Sequence, residues 1–200
     1  MDEARVVRPS DPYGISKYAI ELELECTHRH FGMPYIIFRP YNVYGERQNI
    51  IDRSRNVVGI FINQALNGQP MTIFCDGNQR RAFSYIDDVA PLIAASIDRP
   101  KAYNHIFNVG AGMAFTVNRL AQEISQALGC SLQVNHLPAR KEAFEAYCTQ
   151  DKIKAHFGDL IKDVPLNEGL AKMTQWAKTK PVAALSIFQE LEIKRNIENI

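Results

Sequence analysis

Apolar residues recur along this chain at two spacings, and their alternation predicts an α/β protein. A spacing of three and four residues between Tyr13 and Phe31 predicts a helix, which Gly32 and Pro34 end. The apolar face of this helix, available for a core or for a dimer contact, is Ile15, Ala19, Leu22 and Cys26. The next segment, PYIIFRP, is short and continuously apolar, which is typical of a buried parallel strand. A long polar loop, YNVYGERQNIIDRSRN, follows it.

The rest of the chain continues the alternation. Strands are predicted for MTIF, RAFSYI, HIFNVG and SLQVNHL, with a turn of the Asp-Gly type in CDGNQ. Helices are predicted for residues 57–67, for DVAPLIAASID and VNRLAQEISQALG, for a segment that ends at Phe157, and for a last one from Pro165 to Trp176. The candidate helix caps are Asp87 or Asp88, Thr116, and Thr149 or Asp151. Strands that alternate with helices favour parallel pairing.

Composition adds few functional signals. The chain has 200 residues, 46% of them hydrophobic, and a net charge of +1, so neither a nucleic-acid nor a membrane partner is expected. The polar first residues do not form a secretory signal. The four widely separated cysteines are read as reduced structural thiols, which predicts a cytoplasmic protein. They form no metal-ligand pattern, and the five histidines share no ligand spacing, so no metal site is predicted.

Tyr13 and Lys17 are the first candidates for chemistry. Residues four apart lie on one face of a helix, so the Tyr13 hydroxyl and the Lys17 ammonium can flank one site. A nearby ammonium favours the phenolate form of a tyrosine, which would make Tyr13 a general base toward a hydroxyl group. The spacing alone is weak, because a tyrosine beside a solvated lysine is common on helices.

Four motifs in order give this pair a context. They are DPYGISKYAIELE, FRPYNVYG, DGNQRRAFSYIDDVA and FNVGAG. With them the chain resembles the extended short-chain dehydrogenase/reductase family, and within it the UDP-glucose 4-epimerase-like NAD-dependent epimerases and dehydratases, from about Glu3 to Trp176. The resemblance implies the C-terminal part of a Rossmann-like doubly wound parallel sheet and a smaller α/β substrate domain. Residues 1–55 would be a remnant of the NAD-binding domain and 56–200 mainly the substrate domain, with about 86–110 returning to the Rossmann part.

The resemblance implies roles for residues near the cofactor, NAD. Tyr13 would exchange a proton with the sugar 4-hydroxyl, and Lys17 would hydrogen-bond the nicotinamide ribose. Pro40 and Tyr41 would line the nicotinamide pocket, at the carboxyl end of the strand, where ligands of parallel sheets bind. Tyr44 is expected to be structural.

The resemblance also implies residues that bind a nucleotide sugar. Asn42, Arg81 and Arg140 would contact its diphosphate, and the backbone of Val58 would lie near its base. An arginine suits this task because its planar fork pairs phosphate oxygens at two points. The family commonly has Arg-Asp-aromatic where this chain has Arg81, Ala82 and Phe83, so the carboxylate that supports the arginine is replaced. Arg39, just before the polar loop, could bind the loop backbone.

The implied function is that of an NAD-dependent 4-epimerase of a nucleotide sugar, most simply a UDP-hexose, acting through a transient 4-keto sugar, with a homodimer as the expected assembly. The alternatives are a sugar-nucleotide 4,6-dehydratase or decarboxylase of the same family, and a truncated non-catalytic remnant or subunit of a split enzyme.

A glycine-rich dinucleotide loop is expected before Tyr13 in this family, and too little sequence precedes it. Gly110 and Gly112 lack the third glycine of such a loop and are read as a structural turn. We therefore expect this chain by itself to be the C-terminal part of a longer protein and to bind NAD weakly or not at all.

Overall fold

Short parallel strands alternate with helices along the chain. A computed structural model describes residues 1–51, 56–139 and 143–180. The described helices are α1 (Pro12–Phe31), α2 (Val57–Leu66), α3 (Ile86–Ala95), α4 (Val117–Leu128), α5 (Asp151–Phe157) and α6 (Leu166–Ala177). The described strands are β1 (Ile36–Pro40), β2 (Val43–Tyr44), β3 (Met71–Phe74), β4 (Arg80–Ala82), β5 (Ser84–Tyr85), β6 (His105–Val109), β7 (Ala114–Thr116), β8 (Val134–Leu137) and β9 (Glu145–Ala146). The predicted α/β class is confirmed.

The strands form small sheets in which parallel pairing prevails. Strand β1 pairs with β6 in a parallel register that runs from Ile36 opposite His105 to Pro40 opposite Val109. Strands β2 and β5, and strands β3 and β8, also pair in parallel. Strand β4 pairs in parallel with β9 and antiparallel with β7. Parallel pairing aligns the carboxyl ends of β1, β6 and the loops that follow them, which is where ligands of such sheets bind.

Helix α1 begins and ends where the sequence predicts. The Asp11 carboxylate accepts a hydrogen bond from the Gly14 amide at 2.8 Å, and Pro12 occupies the first turn, where a missing N–H costs nothing. Gly32 ends the helix in the left-handed conformation, with φ 69°, and donates its N–H to His28 O at 2.8 Å.

The apolar face predicted for α1 does not pack into the core. The helix has no buried residue, and all four residues of that face, Ile15, Ala19, Leu22 and Cys26, are exposed. The residues that are partly covered instead include Tyr18, Glu21 and His28. The interpretation of the face as a core contact is therefore wrong for the described chain, because α1 turns a largely polar face toward β1.

Two clusters of buried side chains hold the fold together. The first lies between α2, α4, α6 and β3, and its fully buried members include Phe61, Ile62, Met71, Leu120, Ile124, Leu170 and Met173. The second surrounds β6 and consists of Val89, Leu92, Ala102, Phe107, Val109, Ile153 and Phe157, with Ile36 and Phe38 of β1 packed against it. Residues from 86–110 thus pack with β1. The predicted domain boundary at residue 55 stays a prediction.

One strand prediction is corrected by the pairing, and one predicted turn is confirmed. The segment RAFSYI is not one strand, because β4 ends at Ala82 and β5 begins at Ser84 with different partners. The turn in CDGNQ forms, with Gly77 at φ 74° and the Asp76 carboxylate accepting the Asn78 amide at 3.0 Å. It does not close a hairpin, because β3 pairs with β8 and β4 pairs with β7 and β9.

The predicted caps are confirmed for one helix and wrong for two. Thr116 Oγ1 accepts the Arg119 amide at 3.1 Å at the start of α4. Helix α3 has no side-chain cap, and Asp87 and Asp88 lie in its first turn. The Asp88 carboxylate instead accepts the backbone amides of Lys162 and Val164, at 3.1 and 2.9 Å.

The short helix α5 also lacks the cap that the sequence suggests. Gln150 holds the capping position and makes no side-chain cap bond, so neither Thr149 nor Asp151 fulfils the role. The last helix, α6, does begin directly after Pro165, which agrees with the prediction. Among the described helices, none has the length and the apolar composition needed to cross a bilayer.

We predict that Phe107→Ala lowers the free energy of unfolding by about 3–5 kcal/mol in urea denaturation, because a fully buried ring is lost from the second cluster. The ring contacts Phe38 and Phe157 at centroid distances of 5.9 and 5.5 Å. The matched control is Phe31→Ala, whose ring is 83% exposed, and we expect a change within about 0.5 kcal/mol. Equal losses for the two variants would contradict the assignment of this core.

Candidate active site

Tyr13 and Lys17 lie together at the exposed start of α1. The Lys17 Nζ atom is 5.4 Å from the centroid of the Tyr13 ring, so the two side chains share one face as the spacing predicts. The Tyr13 residue is 68% exposed, and Lys17 is exposed as well. The hydroxyl and the ammonium are thus both accessible to a ligand.

Tyr41 lies directly after β1, where β1 and β6 end. Its amide donates to Val109 O at 2.9 Å, and its carbonyl accepts a hydrogen bond from Ser84 Oγ at 2.7 Å. Ser84 Oγ in turn accepts the Ala111 amide at 3.0 Å. Burial raises the pKa of Tyr41, so this half-buried phenol stays protonated at neutral pH. Pro40, the last residue of β1, is exposed beside it.

Gly110 allows the turn after β6 to lie close to Tyr41. A Cβ atom at this position would meet Tyr41 Cβ at 3.4 Å and both Cys148 Sγ and Ser84 Oγ at 3.5 Å. The Gly110 turn leads into strand β7 and not directly into a helix. This geometry fits the interpretation of the turn as structural.

Asn42 turns the chain after Tyr41 with a left-handed backbone, at φ 38°. Its Nδ2 atom donates to Ala82 O at 2.9 Å, and its carbonyl accepts the Ser84 amide at 3.3 Å. The side-chain nitrogen therefore ties the loop after β1 to β4. The contact with a substrate diphosphate that the sequence predicts for Asn42 stays a prediction.

Arg81 has support that replaces the absent carboxylate. Its Nη2 atom donates to Ala143 O at 2.6 Å, and its Nη1 atom donates to Phe144 O at 3.1 Å and to Arg80 O at 2.9 Å. Backbone carbonyls thus hold this guanidinium. Arg80 is exposed, and its nearest recorded carboxylate is Glu145, at 3.7 Å. Arg140, the other arginine predicted to contact the diphosphate, lies outside the described residues.

Val58 is fully buried in the first cluster, and the position of its backbone near a nucleotide base stays a prediction. Its amide donates to Asn56 Oδ1 at 3.2 Å, and Asn56 Nδ2 also donates to Val43 O. Asn56 adopts a left-handed backbone, with φ 61°. The sequence analysis missed Asn56, although an asparagine directly before a helical segment is a recognisable capping signal.

An ion pair that the sequence analysis also missed joins α1 to β1. Arg39 Nε and Nη2 donate to the two carboxylate oxygens of Glu21, at 2.8 and 2.5 Å. The hydrogen bond with Glu21 raises the pKa of Arg39. Arg39 therefore binds a carboxylate and not the loop backbone suggested for it. Glu21 follows Lys17 by four residues, so helical spacing alone places it on the face of Tyr13 and Lys17.

A cavity lies away from the predicted site residues. It has a volume of about 720 Å³, between the start of α4 and residues 163–167, and none of the predicted site residues lines it. Its lining includes Phe83, Phe115, Arg119 and Glu123. The exposed hydroxyl of Tyr13 and ammonium of Lys17 are therefore not part of this cavity. Among the described residues, no cluster of three histidine, cysteine, aspartate or glutamate side chains could hold a metal ion.

The site thus combines a helix that presents a tyrosine and a lysine one turn apart with a parallel strand pair that is followed by a second tyrosine, in an α/β fold. Comparison with known proteins gives the family. The chain belongs to the NAD dependent epimerase/dehydratase family, whose model matches residues 1–110.

Individual relatives agree with this assignment. The chain is 35% identical to a putative UDP-glucose 4-epimerase of Methanocaldococcus jannaschii, over 89% of this chain and 57% of the relative. The structure of the Thermotoga maritima UDP-glucose 4-epimerase with UDP-glucose matches with a TM-score of 0.83 and 32% identity, over 89% of this chain and 57% of that one. The Bacillus cereus UDP-glucuronic acid 4-epimerase with UDP-glucuronic acid and NAD gives a TM-score of 0.80 and 28% identity, over 88% and 55%.

These comparisons also set the limits of the assignment. The chain spans little more than half the length of the relatives described above. Other curated relatives carry the names of a UDP-glucose 4,6-dehydratase and of a UDP-N-acetyl-alpha-D-glucosaminuronate decarboxylase. The names of these relatives thus include epimerases, a dehydratase and a decarboxylase.

NAD is the cofactor of this family, and part of the site fits it. The Lys17 ammonium offers hydrogen-bond donors and the Tyr13 hydroxyl can donate or accept, which suits the ribose at the nicotinamide end. Both groups are exposed at the start of α1. A cofactor pyrophosphate is held by a glycine-rich strand–turn–helix, and the described part of the chain contains no such element.

We predict that Cys148 is the slowest of the four cysteines to react with iodoacetamide at pH 8. Burial raises the pKa of its thiol to about 11, against about 8.5 for an unperturbed cysteine, and the thiolate is the reactive form. The rate should be roughly 100-fold below that of an exposed thiol and should rise tenfold per pH unit up to about pH 11. Timed labelling with peptide mass spectrometry checks this.

The internal controls are Cys26, Cys75 and Cys130, which are all exposed. The three exposed positions also correct the interpretation of every cysteine as a structural thiol. If Cys148 were labelled as fast as Cys26, the packing of Cys148 against Gly110 and Tyr41 would be wrong.

Proposed function

We propose that this chain provides the catalytic tyrosine and lysine and much of the substrate site of an NAD-dependent nucleotide-sugar 4-epimerase. The observation that carries the proposal is the exposed Tyr13–Lys17 pair at the start of α1, in a chain whose family is shown. The activity is proposed for a polypeptide, or a complex, that supplies the glycine-rich strand–turn–helix together with this chain.

In this mechanism Tyr13 is the general base. The Tyr13 phenolate accepts the proton of the sugar 4-hydroxyl as the hydrogen on C4 leaves as a hydride, and a 4-keto sugar results. NAD, when bound, supplies the reversible acceptance of that hydride. Tyr13 would return its proton to the 4-oxygen as C4 regained a hydride on its opposite face, and the epimer would result. The sum of protons and electrons is unchanged over the cycle.

Lys17 and Tyr41 support this chemistry without taking part in the proton transfer. The Lys17 Nζ atom lies 5.4 Å from the centroid of the Tyr13 ring, and its ammonium can donate to a ribose hydroxyl. Tyr41 stays protonated because burial raises its pKa, so its phenol does not compete with Tyr13 as a base. Its position after β1 suits a wall of the nicotinamide pocket, together with Pro40.

The nucleotide part of the substrate is held by other elements. We propose that Arg81, held by the carbonyls of residues 143 and 144, contacts the diphosphate, with Asn42 and Arg140 as further contacts. The backbone at Val58 lies near the base. Anchoring the nucleotide while the sugar remains free to turn is what an epimerase requires, because the two faces of C4 must meet the cofactor in succession.

A dehydratase or a decarboxylase of the same family is the second candidate, and the names of two curated relatives favour it. Product analysis distinguishes the reactions, since epimerisation keeps the mass of the nucleotide sugar whereas loss of water or carbon dioxide lowers it. The homodimer and the cytoplasmic location inferred from the sequence stay predictions.

We predict that Tyr13→Phe lowers kcat for interconversion of UDP-glucose and its C4 epimer by about 10²–10⁴-fold, because the phenyl ring cannot accept a proton. The affinity for UDP, measured by calorimetry, should be unchanged. Tyr18→Phe, on the same helix, is the matched control and should keep its turnover. Turnover of Tyr13→Phe equal to that of the unmodified enzyme would rule out the role of the base.

We predict that Arg81→Gln weakens UDP binding about 10- to 100-fold, because a charged hydrogen bond to phosphate contributes about 1.5–3 kcal/mol. Arg80→Gln is the neighbouring control, and its exposed side chain should be dispensable. Thermal melting of both variants shows whether the loss of the carbonyl contacts unfolds the chain. Unaltered UDP affinity in a folded Arg81→Gln variant is the result that would remove Arg81 from the site.

A further inference from the structure

Helix α1 carries the two proposed catalytic side chains, yet the described chain does not hold it by apolar packing. The helix runs over Pro12–Phe31 without a single buried residue. Several of its apolar residues are about half exposed, with Ile15 at 55%, Ile20 at 48% and Leu22 at 47%. Since close packing is what usually fixes a helix against a sheet, another interaction must set the position of this one.

The Glu21–Arg39 pair has the geometry for that task. Two parallel hydrogen bonds, of 2.8 and 2.5 Å, join the guanidinium fork to both carboxylate oxygens, which fixes orientation as well as distance. The side chains are only 22% and 13% exposed, so water screens the pair less than it screens a surface pair. Within the described residues this is the ion pair that connects α1 to β1.

The two ends of the pair lie close in sequence to the proposed chemistry. Glu21 follows Lys17 by one helical turn and Tyr13 by two, on the same face of α1. Arg39 lies in β1 immediately before Pro40 and Tyr41. The pair therefore connects two parts of the proposed site. One is the face of α1 that carries Tyr13, and the other is the end of β1, where Tyr41 would line the nicotinamide pocket.

We propose that Glu21 and Arg39 form a positioning pair that sets the location of Tyr13 and Lys17 relative to the carboxyl end of β1. The expected effect of this pair on catalysis rests on the proposed function. Its effect on the position of α1 rests only on the geometry of the described chain. Neither residue touches the reacting atoms in this role. A displacement of about 1 Å of a catalytic group is enough to cost about 10²-fold in rate.

The structural half of the proposal is tested on the 200-residue chain without any assay of activity. Spin labels are attached to the exposed cysteines Cys26, on α1, and Cys130, in a Cys75→Ser background, while Cys148 is buried. Double electron–electron resonance then measures the distance between the helix and the body of the protein. We expect one narrow distance distribution for the parent chain and a broad or shifted one for Glu21→Gln.

Three further variants make this test specific. Glu23→Gln removes the same charge from an exposed position of α1 and should leave the distribution narrow. Arg39→Lys keeps the charge but loses the fork, so it should broaden the distribution in part. The double variant Glu21→Arg with Arg39→Glu restores a pair of opposite charges and should narrow the distribution again relative to Glu21→Arg alone.

The catalytic half is tested in the polypeptide or complex that epimerises UDP-glucose. We expect Glu21→Gln to lower kcat about 10- to 100-fold with KM changed less than about threefold, because the proposed nucleotide contacts lie on other elements. The charge-reversed double variant should recover kcat relative to Glu21→Arg. A residue that merely stabilised the fold would not lower kcat while leaving KM nearly unchanged, and the charge-reversed double variant would not recover kcat.

The outcomes separate the positioning role from the proposed function. A narrow, unshifted distribution in a folded Glu21→Gln chain overturns the positioning role, whatever the activity. A broadened distribution together with unchanged kcat also overturns it. Absence of epimerisation in the unmodified protein, with a broadened Glu21→Gln distribution, refutes the proposed function and leaves the mechanical link between α1 and β1 supported.

Discussion

The bidentate contact between Glu21 and Arg39 is the interaction on which the candidate active site depends. The rest of the site lies on elements that two buried clusters hold, whereas α1 has no buried residue. A charged pair is directional, unlike an apolar contact, so it can hold a helix in one orientation even where little surface is covered. The ion pair between α1 and β1 thus fixes the position of this helix, whereas apolar packing fixes the elements of the two buried clusters.

Beyond this ion pair, hydrogen bonds of the backbone hold the ends of β1 and β6 and the loops that follow them. The parallel register of β1 with β6 places Tyr41 opposite Val109 O, and Ser84 of β5 then joins the Tyr41 carbonyl to the Ala111 amide. The absence of a side chain at Gly110 lets these segments approach. The carboxyl ends of β1 and β6 form one continuous hydrogen-bonded surface, which suits a site that must hold ligands in a fixed orientation.

The elements that the sequence predicted well are those with local signals. Helix α1 has Asp11 and Pro12 at its start and Gly32 at its end, and the apolar strand β1 needs only its own composition to be recognised. The predictions that failed depend on long-range contacts. Asp88 resembles a helix cap, but it binds amides 74 and 76 residues away. The segment RAFSYI alternates like one strand, but its residues belong to β4 and β5, which pair with different strands.

In the candidate site, too, features set by local sequence could be predicted, and features set by contacts between distant residues could not. The Tyr13–Lys17 pair follows from helical spacing, and the spacing extends to Glu21, which a search of that helix face could have found. The support of Arg81 by the carbonyls of Ala143 and Phe144 could not be predicted, because it bridges 62 and 63 residues and leaves no pattern in the side chains involved.

We propose that Tyr13 and Lys17 serve an oxidation and reduction at C4 of a nucleotide sugar, in which the same hydrogen leaves and returns. Turnover of UDP-glucose labelled with deuterium at C4, in ordinary water, by the polypeptide or complex that supplies the dinucleotide-binding element tests this directly. We expect the C4 epimer to form and to keep the deuterium at C4, as nuclear magnetic resonance of the product would show. Loss of the deuterium to solvent, or a product lighter by water or carbon dioxide, would contradict it.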